Sequence, residues 1–505
     1  MTDRARLYLA AGLSPAQGRI KGAEGPMKIG IPRTLLDCRM ETGRGFVLLI
    51  GASTLSCCAA YRPRPLEPEK TARAFESRSL ADPALRAFIE TQTGRAVPAW
   101  PPDPWDEDSL ALAAFFFHPD LDAARARRAT AVAGRRTAAE RPNPSIVGGP
   151  FEHVTNTASP PWIWGVGLDL QFEIAGKRGA RRLRADALAE QARLELAQTA
   201  WGARSKVRAA AVELWAARET ESVLGHQQSE LAENERLLVE RARAGETSPL
   251  NSTQAVLLAD RSRLLLADAR RRRVDASGGL ATALGVPVSA ARAVALSTAS
   301  FAEPPDPKAP MSQGARAKAL KSRPDLLAAL AGYAAAEADL RLEVARQYPD
   351  VHIGPGYAYD QGADKWGFSF NLPIPLFNRN RGPIEEADGR RREAAARFLA
   401  LQAKIINDID RARDSYEAAY DKLGTADSAL ARHLEQDAVV RRLLRPGDVT
   451  RMTLFRFQLD LDTTRLSRSQ ALAETQQALG AFEDALEMPL AGAALPPASY
   501  EREPR

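Results

Sequence analysis

The chain has 505 residues, a formal net charge of +6, 6% aromatic residues and only three cysteines. Residues 1–44 carry eight Lys/Arg against four Asp/Glu, a surplus of four (8 − 4), so the remainder is close to neutral and no nucleic-acid partner is indicated. Cys38, Cys57 and Cys58 all lie near the N-terminus, which excludes a disulfide framework or a thiolate metal centre in the body of the protein. The richness in Ala, Leu, Arg and Glu suits long helices.

Arg39 and Arg44 precede the apolar run FVLLIGASTL, which is too short to span a bilayer and matches a secretory signal. The run ends in Leu55-Ser56-Cys57-Cys58 and resembles a bacterial lipobox, with Cys58 the residue that receives lipid and Leu55 three residues before it. Cys57 stands where Gly, Ala or Ser is usual, and an ordinary cleaved signal is the alternative. Residues 1–57 are therefore expected to be an N-terminal extension and signal, with Met27 or Met40 as possible starts. Residues 58–117 follow as a Pro-rich, weakly patterned linker segment with one short helix over 82–93.

A duplication begins at His118. HPDLDAARARRATAVAGRRTAAERPNPSI is matched by RPDLLAALAGYAAAEADLRLEVARQYPDV from Arg323. Each copy opens with Pro-Asp-Leu, which suits a helix start because proline fits N1 and the acid favours the helix dipole. The offset between copies is 205 from Asp120 to Asp325 and 202 from Gly245 to Gly447. The first hairpin loop should thus be three residues longer, since loops absorb such changes. The expected units are 118–300 and 323–489, each helix–strand–strand–helix–helix, joined by a linker over 301–322 and followed by a tail over 490–505.

Within each copy one strand is plain. Trp162, Trp164, Val166, Leu168, Leu170 and Phe172 alternate with small or polar residues, as do Trp366, Phe368, Phe370 and Leu372. A period of two puts each set on one face of a strand. Preceding strands are expected over 145–155 and 351–359, giving four strands of about ten residues, the length a tilted strand needs to cross a bilayer. A soluble sheet with one buried face predicts the same alternation.

After each strand comes a pattern almost free of helix breakers, 181–243 and 383–444, which at 1.5 Å per residue makes each helix about 95 Å long. Phe398, Leu401, Ile405, Ile409, Ala412, Tyr416 and Ala419 form a narrow apolar seam. Gly245 and Gly447 suit C-terminal caps, and Ser248-Pro249 or Thr450 then starts a return helix. The run Arg270–Arg273 reads as the solvated side of that helix. Helices of this length need neighbours.

Taken as a set, the duplication, the Pro-Asp-Leu openings, the AGKRG turn ending at Gly179, the 371–382 segment and the two tip motifs resemble the TolC family of outer-membrane efflux channels, and within it the CzcC-like heavy-metal branch. The resemblance implies a mainly α fold with a transmembrane β part. Three chains would form a 12-stranded outer-membrane β-barrel continued by a long periplasmic α-helical barrel. It implies membrane strands bearing Trp162, Trp164, Val166, Leu168, Trp366, Phe368 and Phe370. Docking tips for a periplasmic adaptor and an RND-type inner-membrane pump would comprise Gly245, Glu246, Thr247 and Ser248 with Gly447, Asp448, Val449 and Thr450. The protein would be a lipid-anchored homotrimer in outer-membrane lipid, reaching into the periplasm and passing solutes, heavy-metal cations first among them. Family members carry acidic residues just beyond the second tip; here Thr453 and Arg456 hold those positions, with Asp460 and Asp462 further on.

No enzyme constellation is evident, and no cofactor is expected. The histidines His118, His153, His226, His352 and His433 show no His-x-x-x-His or carboxylate-linked spacing, and Gly176-Lys177-Arg178 lacks the rest of a P-loop. The competing function is a lipid-anchored periplasmic coiled-coil scaffold without a channel. That reading leaves the two aromatic hairpins unexplained.

Overall fold

The structure, a computed structural model, describes residues 61–149, 151–155, 160–292, 294–297, 299–307, 311–444, 451–490 and 500. The signal segment with Cys58, and the tip residues Gly447, Asp448, Val449 and Thr450, lie outside the described residues.

Among the described residues three helices precede the first Pro-Asp-Leu: α1 (Pro68–Glu76), α2 (Pro83–Thr93) and α3 (Glu107–Phe117). Only α2 was expected. Every residue of α3 from Leu110 to Phe117 is buried, so this helix is apolar all round and shows no 3.6-residue stripe to read. It lies in the main core with Leu196, Val207 and Trp215 of the long helix α5 (Lys177–Arg243) and Leu280 and Leu284 of the return helix α6 (Pro249–Leu284). A stretch read as linker is thus central packing.

Next come α4 (Pro119–Ala139), β1 (Ser145–Gly148), β2 (Glu152–His153) and β3 (Trp162–Phe172), leading into α5 and α6. Short helices α7 (Val288–Ala291), α8 (Ala299–Ala302) and α9 (Met311–Ser322) follow. The chain then runs through α10 (Pro324–Ala345), β4 (Val351–Asp360), β5 (Ala363–Asn371), α11 (Arg381–Leu444) and α12 (Arg451–Leu486). At 67 and 64 residues, α5 and α11 are each about 100 Å long. Each packs along its return helix, α10 packs on both, and α12 also packs on α5. The seam residues Ile405, Ile409 and Tyr416 are buried against Leu479, Phe482 and Leu486 of α12.

The first strand differs from expectation. It is two short pieces, β1 and β2, both paired with β3, rather than one strand of about ten residues. The sequence between them is Gly149-Pro150-Phe151, and proline has no N–H to give to a ladder. The described strands form one antiparallel sheet in the order β1-β3-β4-β5, with β2 also on β3. The β4–β5 turn is the two residues Gln361 and Gly362, with φ of 48° and 98°, the positive values a tight hairpin requires. No helix among the described residues is long and apolar enough to cross a membrane.

Candidate functional site

The register sorts the sheet into two unlike faces. Trp164 pairs with Tyr359, Val166 with Tyr357 and Leu170 with Ile353. Tyr357 then pairs with Trp366, Pro355 with Phe368 and Ile353 with Phe370. These large apolar side chains share one face, where Trp164 and Trp366 both pack on Tyr357, at ring centroid distances of 5.3 and 5.1 Å. The opposite face pairs Gly165 with Ala358, Gly167 with Gly356, Gln171 with His352, and Gly356 with Gly367. It is small and polar. His352 sits half-buried there with Nδ1 3.0 Å from the Asp169 carboxylate.

The apolar face is uncovered. Trp366, Phe368 and Phe370 are 82%, 73% and 65% exposed, and Trp162, Trp164 and Val166 are exposed as well, whereas Leu168 is partly buried. Every residue of β5 is exposed, because this strand pairs on one side only; β1 and β2 end the sheet opposite. Edges of this kind are a template for further strands.

The AGKRG turn explains how sheet meets helix. Ala175 and Gly176 take φ of 58° and 75°, which turns the chain sharply into α5. Lys177 is buried and its Nζ lies 2.6 Å from Asp350, which also accepts from Gln171 Nε2 at 2.9 Å. Arg178 Nε donates to the Ala139 carbonyl at the end of α4, at 2.7 Å. The two basic residues therefore fix β3, β4 and α4 at one junction. At the second junction Asn380, at φ 57°, donates through Nδ2 to the Glu343 carbonyl of α10 at 2.7 Å. Its side chain does there what the lysine and arginine do at the first.

At the far end, the first tip is a tight cap-to-cap turn. The Gly245 and Glu246 N–H groups donate to Ala242 and Arg241, and Gly245 has φ 77°. This is the two-bond closure that satisfies the last carbonyls of a helix. Ser248 Oγ then accepts from the Leu250 N–H at 3.2 Å and Pro249 opens α6. Asn251 Nδ2 donates to Thr247 Oγ1 at 3.1 Å. The turn is closed on itself and leaves Gly245, Glu246 and Ser248 facing solvent.

In the first turns of α12, Arg456 and Asp460 are exposed and Thr453 is half-buried. Asp462 does not join them on the exposed face. It is buried, with Oδ2 3.1 Å from His226 Nδ1 on α5 and Oδ1 2.9 Å from Arg465 Nη1. His226 also stands one turn before Glu230, its Nε2 3.7 Å from Glu230 Oε1. The sequence reading found no histidine at carboxylate-linked spacing; His226 and Glu230 are four apart and have it. Their buried partner is 236 residues away. Arg270 and Arg273 lie beside Glu221, with Arg273 Nε at 2.5 Å.

The profile of the outer membrane efflux protein family matches residues 116–286 and again 315–486. The cobalt-zinc-cadmium resistance protein CzcC of Cupriavidus metallidurans is 27% identical over 248 residues, 48% of this chain and 57% of that protein, so the match spans little more than half of that relative. The outer membrane protein VceC of Vibrio cholerae superposes with a TM-score of 0.60 at 18% identity, over 76% of this chain and 97% of its own. The CmeC outer membrane channel of Campylobacter jejuni gives 0.61 at 12% identity, over 88% and 96%. These structural likenesses carry the mostly helical fold, and the family is one of channels, not of enzymes. With both profile matches together spanning more than half its length, the chain belongs to the outer membrane efflux protein family.

Proposed function

We propose that this protein is the outer-membrane channel of a three-part export assembly, a passive conduit formed by three copies. The observation that carries the reading is the sheet. It has one exposed aromatic face suited to lipid, one glycine-rich polar face suited to a lumen, and unpaired edges at both β1 and β5. Open edges in lipid leave backbone groups without partners, so such a sheet needs closure by further copies. Four strand positions from each of three chains close a 12-stranded barrel. The paired helices α5–α6 and α11–α12 continue it into the periplasm, with Cys58 as the lipid anchor.

On this reading the tips at 244–251 and 446–453 receive a periplasmic adaptor and, through it, an RND-type pump. Arg456 and Asp460 stand near the periplasmic entrance. Divalent metal cations are the proposed cargo, supported by the likeness to the cobalt-zinc-cadmium resistance protein.

The test is the native mass of protein extracted with detergent from outer-membrane fractions. A mass near three times that of the mature chain supports the channel. A monomer released without detergent removes it and leaves the periplasmic scaffold.

A further inference from the structure

We infer that His226, Glu230 and Asp462 form a binding site for a borderline divalent cation of the Zn²⁺ class, which ties α5 of the first helical hairpin to α12 of the second. The inference stands on the geometry of these three residues and does not depend on which solute the channel carries.

His226 and Glu230 are four residues apart on α5 and so project from one side of the helix, one turn above the other. Asp462 reaches them from α12. One donor atom of each residue lies within 4.8 Å of the other two. The His226 Nδ1 to Asp462 Oδ2 distance of 3.1 Å is close to the roughly 3.3 Å that separates two ligands on a tetrahedral zinc with bonds near 2.0–2.1 Å. Glu230 Oε1 lies 3.7 Å from the other ring nitrogen, Nε2; a single ion takes one nitrogen of the ring, so Glu230 joins the site through a carboxylate oxygen within the 4.8 Å span of the three donors. The ring has room to adjust, since the His226 side chain is 56% exposed while Asp462 is 2% exposed and fixed.

Two features point to a ligand rather than a plain ion pair. Glu230 Oε2 is buried and has no hydrogen-bond partner, which is costly for an acceptor unless something fills the place. Asp462 divides its oxygens: Oδ1 is taken by Arg465 and Oδ2 is turned toward His226. Arg465 thus orients the carboxylate as an outer partner does at a metal centre.

One imidazole nitrogen with two carboxylate oxygens selects zinc, cobalt or a similar ion over magnesium or calcium, which prefer all-oxygen shells. Three protein ligands leave a fourth position for water, so the ion is exchangeable. The site lies about 25 Å along α5 from the tip, counting 17 residues from His226 to Arg243. Its occupancy therefore bears on how firmly the two hairpins hold together there.

The experiment is titration of the full-length detergent-purified protein, first stripped with chelator, by ZnCl₂ in a calorimeter and by CoCl₂ with visible absorption. The expected result is one saturable Zn²⁺ site per chain, tetrahedral-type Co²⁺ bands, and no competition from Mg²⁺. His226→Ala and Glu230→Gln are expected to weaken zinc binding at least about tenfold and to abolish the cobalt bands, with native mass and helix content unchanged. Because His226 is half in solvent, its replacement leaves the fold testable. Absence of saturable zinc binding, equal competition by Mg²⁺, or variants that bind as the parent does would each overturn the site. Native mass, read in the same samples, reports on the channel separately.

Discussion

The Arg323 guanidinium lies 3.1 Å from the Glu487 carboxylate, and both side chains are nearly buried, at 9% and 6% exposed. Arg323 also pairs with Asp325 at 2.6 Å and donates to the Ala485 carbonyl, so the residue that opens the second Pro-Asp-Leu segment holds the end of α12. Burial, and then the neighbouring Asp325, push the Glu487 carboxyl up to about 7, against the pull of Arg323. An acid with a raised native pKa keeps a proton that the unfolded chain, with its ordinary value of 4.5, has already lost. Its contribution to stability is complete below about pH 4.5 and is lost as pH rises through about 7. Across that window the loss is on the order of 3 kcal/mol. Thermal unfolding at pH 5 and pH 8 checks this: the protein should melt lower at pH 8, and Glu487→Gln should flatten most of the difference. Glu107, raised by burial beside Arg208 and Arg204, leaves a residual slope of the same sign.

The end of α6 is built alike, and there glycine is required for a second reason. Gly285 has φ 72° and closes the helix by donating to Thr282, as Glu487 at φ 47° closes α12 by donating to Asp484. Left-handed backbone is therefore tolerated without glycine at one of these ends. At Gly285 a Cβ would also lie 2.9 Å from His118 Cα and 3.0 Å from the Phe117 carbonyl oxygen, atoms that cannot move aside singly. Gly285→Ala is expected to cost about 2–4 kcal/mol, strain and crowding together. Gly94→Ala, at φ 64° with nothing within 4 Å of the new carbon, should cost only about 1 kcal/mol. Paired melting curves of the two variants separate the contributions.

How much of this was legible in the sequence depended on whether a residue's partner was local. The alternation from Trp162 to Phe172 was plain because each face of the strand is uniform along its length. The long helices were plain because sixty residues pass almost without a breaker. By contrast α3 was hidden by being buried on every side. The first strand was legible only as an irregular stretch, since Gly148, Gly149 and Pro150 disturb its alternation without showing that two separate pieces pair with β3. Lys177 read as a basic turn residue; its role depends on Asp350, 173 positions away. The His226–Asp462 contact joins helices from different halves of the chain, and no local period announces such a pair.

The two-faced sheet makes a directional prediction for the proposed channel. Phe368 belongs to the apolar face through its pairing with Pro355, whereas Asn371 belongs to the polar face opposite His352. An arginine on a lipid-facing position near the bilayer midplane costs about 2–4 kcal/mol, while a lumen position tolerates it. Phe368→Arg should therefore reduce the yield of detergent-stable trimer from outer-membrane fractions, and Asn371→Arg should leave it near the parent level while altering passage through the pore. Equal loss in both variants would count against the assignment of faces.

Two glycines on the polar face of β4 should respond very differently to the same added methyl group. A Cβ on Gly354 would run into the Leu168 carbonyl oxygen of β3, and Gly354 cannot retreat because its own carbonyl accepts from Ser369 Oγ at 3.0 Å on the other side. At Gly356 the nearest atoms to a Cβ, the Val166 carbonyl oxygen and Gly167 Cα, are 3.8 and 3.9 Å away, ordinary contact distances. Gly354→Ala must part β3 from β4 in mid-sheet, and a loss of about 3 kcal/mol or more is expected, at or beyond the upper end of what overpacking with backbone displacement usually costs. Gly356→Ala should stay within about 0.5–1 kcal/mol of the parent. Strand content by circular dichroism and the trimer fraction in detergent measure both. Because the two sites are two residues apart on one face, an equal effect would mean that the Leu168 carbonyl does not crowd Gly354 as closely as the structure has it.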